Sequence, residues 1–384
     1  MFSGRGFPES EYELRVEKAQ DLMRKRGLDG LLCTTHPDIY YFTGFLTRFW
    51  ESPTRPWFLV VPQAGKPIAV IPKIGEALMR TTWIDEIRTW SSPDLKDDGV
   101  TLLADTLKER IGSGKVGLPS GHETHLRMPI SDFENLKQLL SGITIANDAE
   151  ILRTLRMVKS PAEIEKIKRA CGIAHHAFSR VQEFAYPGTQ LSLVFRKFQM
   201  VCLEEGADWV PYLAGGSDKF GYADVISPAG DAELQNGDVL MLDTGLTWDG
   251  YFCDYDRNFS IGAPDQIVVD AHKTLIEATQ AGFEAVKPGA AARVLFEAMD
   301  RVLTGGKGGN ENGRLGHGLG IQLTEWPSLI PSDETELQAG MVLTLEPGIG
   351  TKNGNMLVHE ENIVVTQSGA EYLSTPADEK IVRV

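Results

Sequence analysis

The amino-acid sequence predicts an α+β protein of two domains. Helix and strand signals alternate over residues 1–155, a complete helix-start signal stands at Ser160-Pro161, and a faint repeat recurs 101 positions apart in the remainder. The chain has 384 residues, beyond the ~250–300 at which single hydrophobic cores stop growing. The expected boundaries are an N-terminal α/β domain over 1–155 and a second domain over 156–384.

In the first domain an amphipathic stretch at Tyr12–Lys25 precedes apolar runs at Gly30–Cys33, Trp57–Pro62 and Ile68–Pro72, the alternation of an α/β unit. The second domain opens on Lys159-Ser160-Pro161, with Ser160 as N-cap, Pro161 at the first helical position and Glu163 three residues after the cap. Ile164, Ile167, Cys171, Ala174, Phe178 and Val181 follow at spacings of three and four, which predicts one buried helix face. In the repeat, Tyr186-Pro187-Gly188 matches Lys287-Pro288-Gly289, Phe195 matches Phe296 and Ala177 matches Ala278. Two duplicated halves around a pseudo-symmetric sheet are therefore expected. Strands are expected at Asp238–Asp243, Phe259–Gly262, Met341–Pro347 and Glu361–Thr366, and a flexible loop at Gly305–Gly313.

Composition narrows the function. A net charge of −15 disfavours nucleic acid and anionic membranes as partners and favours a small molecule or short peptide. No run reaches the ~18 apolar residues of a membrane span, and the N-terminus lacks the apolar core of a secretory signal, so a cytoplasmic location is expected. Cys33, Cys171, Cys202 and Cys253 lie far apart without CxxC spacing. They fit reduced structural thiols rather than a disulfide framework or thiolate zinc site.

The chemistry concentrates in four segments. GDVLMLDTGLTWDGYFCDYDRNF carries Asp243 at the end of an apolar strand and Asp254 eleven positions on. In LGHGLGIQLTEWPS, His317 sits between glycines that allow close backbone approach to a ligand. GMVLTLEPGI ends an apolar strand on Glu346, costly to bury unless paired or metal-bound. MLVHEENIVVT carries Glu360 at a strand entrance.

The order Asp, Asp, His, Glu, Glu in these contexts resembles the metallopeptidase family of methionine aminopeptidase, aminopeptidase P and prolidase, which has the pita-bread fold. HPDIYYFTGF at 36–45 resembles the N-terminal domain of its aminopeptidase P/prolidase/creatinase branch. The resemblance implies a creatinase-like N-terminal domain and a pita-bread catalytic domain. It implies that Asp243 binds one metal ion in bidentate fashion, that Asp254 and Glu360 bridge two, and that His317 and Glu346 complete the sites, with Glu346 as general base. Two divalent ions are expected, Mn²⁺ foremost, with Fe²⁺, Co²⁺ or Zn²⁺ suited to the same mostly oxygen donor set. Ions ~3.5–4 Å apart share a hydroxide that attacks an amide carbonyl. A homodimer resembling Xaa-Pro dipeptidase or aminopeptidase P is the implied enzyme.

The chain departs from the family pattern at two imidazoles. The second histidine of HGxGxxxHE is Thr324 here, and no histidine occurs in Pro211–Leu242. Val358 takes the place of a common arginine two residues before the last glutamate, and Asp256 that of a common threonine. In the family that the chain resembles, those two imidazoles contact the scissile carbonyl and leaving group, so ordinary Xaa-Pro dipeptides are expected to be cleaved poorly. Tyr222, Tyr255 and Thr324 are candidate replacement donors. Arg48, Trp50 and Arg55, in the cluster that ends at Trp57, are candidates for gripping a substrate carboxylate. The alternatives are an ectoine-hydrolase-like enzyme or a lyase on the same scaffold; a non-enzymatic binding module is disfavoured by the filled ligand set.

Overall fold

The computed structural model describes residues 4–51, 55–309 and 313–384. Asn310–Asn312 of the expected glycine-rich loop and Ser52–Thr54 of the Arg48–Trp57 cluster lie outside the described residues. The described chain forms two compact units, Gly4–Arg156 and Met157–Val384.

In the first unit, α1 (Glu9–Arg26) and α2 (His36–Thr43) flank β1 (Gly30–Cys33), and β2 (Phe58–Pro62) and β3 (Ile68–Pro72) lead to α3 (Glu76–Met79) and β4 (Glu86–Trp90). The order continues with α4 (Val100–Ile111), β5 (Gly114–Leu118), α5 (Ile130–Leu139), β6 (Ile143–Asn147) and α6 (Ile151–Met157). The six strands form one sheet in the order β4-β3-β2-β1-β5-β6. Leu32, Phe58, Val60 and Val70 of the sheet share a core with Leu103 and Leu107 of α4 and Leu136 of α5, which burial alone stabilises by roughly 1.5–3 kcal/mol per side chain. α2 begins behind Thr35, whose hydroxyl donates to Asp38 (2.7 Å), and Arg156 pairs with Asp38 at 2.8 Å out of solvent. A buried ion pair held by further hydrogen bonds fixes a local geometry even where it adds little stability.

The second unit opens with α7 (Pro161–Ser179), whose capping box is complete: the Glu163 amide donates to Ser160 Oγ, and the Ser160 amide to Glu163 Oε2. α8 (Leu191–Glu204), β7 (Trp209–Asp218), β8 (Val239–Trp248), β9 (Tyr251–Phe252) and β10 (Tyr255–Ser260) follow, then α9 (Gln266–Ala285) and α10 (Arg293–Leu303). Last come β11 (His317–Gly318), β12 (Glu325–Ser328), β13 (Val342–Leu345), β14 (Gly348–Gly350), β15 (Met356–Val358), β16 (Glu361–Val365), β17 (Ala370–Tyr372) and β18 (Val382–Arg383). One sheet runs β18-β10-β8-β7 with β9 on β8, and the other β12-β11-β13-β16-β17.

The two halves repeat each other bond for bond at their turns. Gly188 and Gly289 both sit at positive φ (86° and 84°), and their amides donate to Leu234 O and Leu337 O, each at 2.8 Å. In return, the amides of Leu234 and Leu337 donate to Thr189 O and Ala290 O. Further on, Gly215 and Gly316, 101 positions apart, press against neighbouring backbone: an added Cβ would lie 2.1 Å from Met241 O and 2.3 Å from Thr344 O.

Two strand expectations need correction. Asp243 is not at a strand end: β8 continues to Trp248, and all ten of its residues are buried. Both faces are covered, so polar and small residues continue the strand after the apolar run stops. The strand expected from Phe259 starts at Tyr255, because the polar Asp256, Arg257 and Asn258 are each bonded from other elements.

Candidate metal centre

The ligand candidates arrive from both sheets. β8 places Asp243 opposite Asp256 of β10 and Ala214 of β7. Asp254 lies at the entrance of β10, where its amide donates to Asn362 Oδ1 at 3.0 Å. The His317 amide donates to Thr344 Oγ1 (3.1 Å), and the Glu346 amide, just past β13, to Leu315 O (3.0 Å). The Glu360 amide donates to Asp256 Oδ1 at 3.0 Å. Each ligand candidate is thus fixed through its own backbone by a neighbouring element.

Asp254, His317 and Glu360 are buried, and a ligand atom from each lies within 4.8 Å of the other two. His317 Nδ1 sits 2.8 Å from the Gly318 carbonyl, which makes Nδ1 the protonated nitrogen and leaves the Nε2 lone pair free. Nε2 lies 3.5 Å from Asp254 Oδ2 and 4.0 Å from Glu360 Oε1. Burial pushes the ring down to about 3, so it is a neutral ligand.

The carboxyl groups shift in the opposite direction. Burial, then mutual repulsion, drives Asp243, Asp254 and Glu360 well above the carboxylate range, and pushes Glu346 up to about 7. Asp243 and Glu346 both act on Asp254 and Glu360, which joins the four carboxylates in one electrostatic cluster. Asp243 Oδ1 and Glu360 Oε1 are buried with no hydrogen-bond partner. Unpaired charge of this density is expensive out of water, and divalent cations relieve it. The oxygen-rich donor set with one neutral imidazole fits them.

The other expected site residues are distributed differently. Thr324 borders the cluster: its hydroxyl accepts from Arg314 Nη2 at 3.4 Å. Tyr222 is fully buried, its hydroxyl bonded to Asn258 Oδ1 (3.2 Å) and receiving the Val358 amide (2.6 Å). That bonding makes it a brace for the strand leading to Glu360, in place of a substrate donor. Tyr255 is likewise buried and donates to Cys171 O at 2.8 Å. Arg48, Trp50 and Arg55 belong to the first unit. There Arg127 donates to the carbonyls of Arg55 (2.7 Å) and Trp50 (3.1 Å) and lies over the Trp50 ring, while Arg48 is exposed.

Three features were not anticipated from the residues. Tyr212 of β7 has its hydroxyl beside Asp243. Arg314, three positions before His317, opposes the upward shifts of Asp254 and Glu346. Behind Glu360, His359 lies between Asp256 (3.6 Å) and Glu361 (3.3 Å), and Arg257 holds Glu361 at 2.9 Å. Burial alone would raise Glu361, but Arg257, His359 and Ser374 hold it down to about 2. The run His-Glu-Glu-Asn at 359–362 was the available sequence signal for this network.

Residues 165–367 match the family model of metallopeptidase family M24, and residues 15–158 match the creatinase/prolidase N-terminal domain. The chain belongs to metallopeptidase family M24. Among M24 relatives, a probable dipeptidase PepE of Mycobacterium bovis is 30% identical over 98% of both chains. A Xaa-Pro dipeptidase of Pyrococcus horikoshii is 25% identical over 96% of this chain and 98% of its own. The crystal structure of dipeptidase PepE from Mycobacterium ulcerans superposes with a TM-score of 0.84 at 29% identity, covering 99% of this chain and 100% of that one. A prolidase from Thermococcus sibiricus gives 0.87 at 25% identity, over 99% and 100%. As an M24 metallopeptidase the chain is a metal-dependent hydrolase of pita-bread fold with a creatinase-like N-terminal domain. These relatives do not favour the ectoine-hydrolase-like or lyase alternatives.

Proposed function

We propose that this M24 enzyme hydrolyses short peptides of Xaa-Pro character, with Asp243, Asp254, His317, Glu346 and Glu360 holding two divalent ions, Mn²⁺ foremost. The observation that carries the reading is the buried group of Asp254, His317 and Glu360, whose ligand atoms lie within 4.8 Å of one another beside carboxylate oxygens that have no hydrogen-bond partner. The dipeptidase and prolidase relatives support the substrate class.

When bound, the ions supply Lewis-acid stabilisation of negative charge on the substrate and acidify water. The chain's own residues do the rest. His317 is held in one tautomer by the Gly318 carbonyl, and Asp256 fixes the Glu360 backbone. Glu346, half-buried and raised among its neighbours, is poised near neutrality to take the proton of the attacking water and return it to the departing nitrogen. Cytoplasmic residence, supported by four buried free cysteines, and a homodimer belong to the same proposal. No helix of the described residues is long and apolar enough to cross a membrane.

Elemental analysis of protein purified without chelator is expected to find up to two transition ions per chain. Stripped enzyme reconstituted with Mn²⁺, Fe²⁺, Co²⁺ or Zn²⁺ is expected to cleave Ala-Pro or Gly-Pro, and kcat/KM of at least ~10⁴ M⁻¹s⁻¹ on either would mark it as a natural type of substrate. Failure of every ion to restore hydrolysis of any short peptide would overturn the reading.

A further inference from the structure

The segment that ends in Thr324 is firmly built. The Gly320 carbonyl accepts the Phe252 amide at 2.8 Å, and Glu325 Oε1 accepts the amides of Ile321 (3.0 Å) and Gln322 (3.2 Å). Glu325 is itself pinned by Lys159 at 3.0 Å, with both side chains about 1% exposed. At Gly245 of β8, an added Cβ would meet Leu323 Cδ1 at 2.1 Å, so the segment lies directly on the strand that carries Asp243. Thr324 is therefore a fixed post, and Arg314 Nη2 donates to its hydroxyl at 3.4 Å.

Arg314 is half-buried and, among the described residues, no carboxylate lies within ion-pair distance of it. A guanidinium left without an ion pair next to four carboxylates, three of them buried, is unusual, because pairing with one of them would relieve both. Its reach is also one-sided. Its charge acts on His317, Asp254 and Glu346, and is not among the principal influences on Asp243 or Glu360. Once divalent ions neutralise the ligand carboxylates, Thr324 is the one side chain among the described residues to which the guanidinium is hydrogen-bonded. Its remaining donors form a planar fork suited to a carboxylate.

We propose that Arg314, steadied by Thr324, grips the free carboxylate of the substrate, so that the site selects peptides whose C-terminus lies immediately beyond the scissile bond. The inference rests on the peptidase reading and names the residue that would confine it to dipeptides. It also assigns a function to the position where the family pattern has a histidine and this chain has threonine: Thr324 serves as the post for a cation carried by the neighbouring segment.

The test uses the full-length, metal-loaded enzyme with Ala-Pro and Ala-Pro amide, which share a scissile bond and differ in the carboxylate. The wild type is expected to prefer the acid. Arg314→Ala should raise KM for the acid by roughly 10- to 100-fold, the loss typical of a charge-assisted contact, beyond any change it causes with the amide. Arg314→Lys should recover part of the loss as a point charge. Metal content and melting temperature should match the wild type, which separates substrate contact from a structural role. Calorimetric binding of proline against prolinamide gives the same comparison without turnover. An acid-to-amide ratio and a proline-to-prolinamide ratio that are both unchanged in Arg314→Ala would overturn the proposal. If the wild type cleaves neither peptide, Ala-Pro is excluded as a substrate, and the proline comparison still decides whether Arg314 binds a carboxylate.

Discussion

Glu360 and Asp254 each have a side chain turned into the buried cluster and a backbone held from behind, by Asp256 and Asn362 respectively. Replacing either by alanine removes donor atoms from the group that also contains His317, so metal analysis of Asp254→Ala and Glu360→Ala is expected to show most of the bound ion lost. Thr324→Ala touches no ligand and should retain it; equal retention in all three would refute the assignment of the ligands. The five ligand candidates were legible because carboxylates at the ends of apolar runs are costly to bury unless they bind something, because His317 stands between glycines, and because the order of the five resembles that of a known family. The Asp256–His359–Glu361–Arg257 network and Arg314 were not, since their meaning depends on partners more than a hundred positions away or on the next strand. No local spacing announces such pairs.

Among elements, the α7 start was readable because a capping box is a four-residue event, and its bonds form as Ser160 and Glu163 suggest. The extent of β8 and β10 was not, because burial on both faces and non-local bonding override alternation. β11 shows what the close approach of strands requires. Gly316 sits at φ 139°, and any side chain there would drive into Thr344 O. Gly316→Ala must therefore part β11 from β13, shifting His317 on one side and Glu346 on the other. A loss of roughly 1–3 kcal/mol is expected from the displaced backbone, read by urea unfolding, together with weaker metal retention. Unchanged metal affinity would mean that the strand separation does not set the site.

On the scale of the whole molecule, acid sensitivity is expected to begin in the first unit. His36 has its Nε2 shut away from solvent and packs against Tyr40 and Trp50; burial, then the charge of Arg156, pushes it down to about 4. An unfolded histidine titrates near ~6.5, so the folded state binds this proton less readily. The stability from a neutral His36 is complete above ~6.5 and is lost as pH falls from there to about 4. Tryptophan fluorescence at successive pH values should show the unfolding midpoint drop over that window, and His36→Asn should flatten the drop; an equal slope in the variant would exclude this histidine as the cause. The pairing of Asp243 with Glu346, 103 positions apart at corresponding places in the two repeated halves, has a different kind of consequence. Each half brings one such carboxylate to the seam, and neither half alone would carry the proposed ligand set. The proposed centre is in effect a contact surface between two like halves of a single polypeptide. The halves need not be identical: one supplies Asp243 and Asp254 while the other supplies His317, Glu346 and Glu360, so that a pseudo-symmetric junction becomes directional.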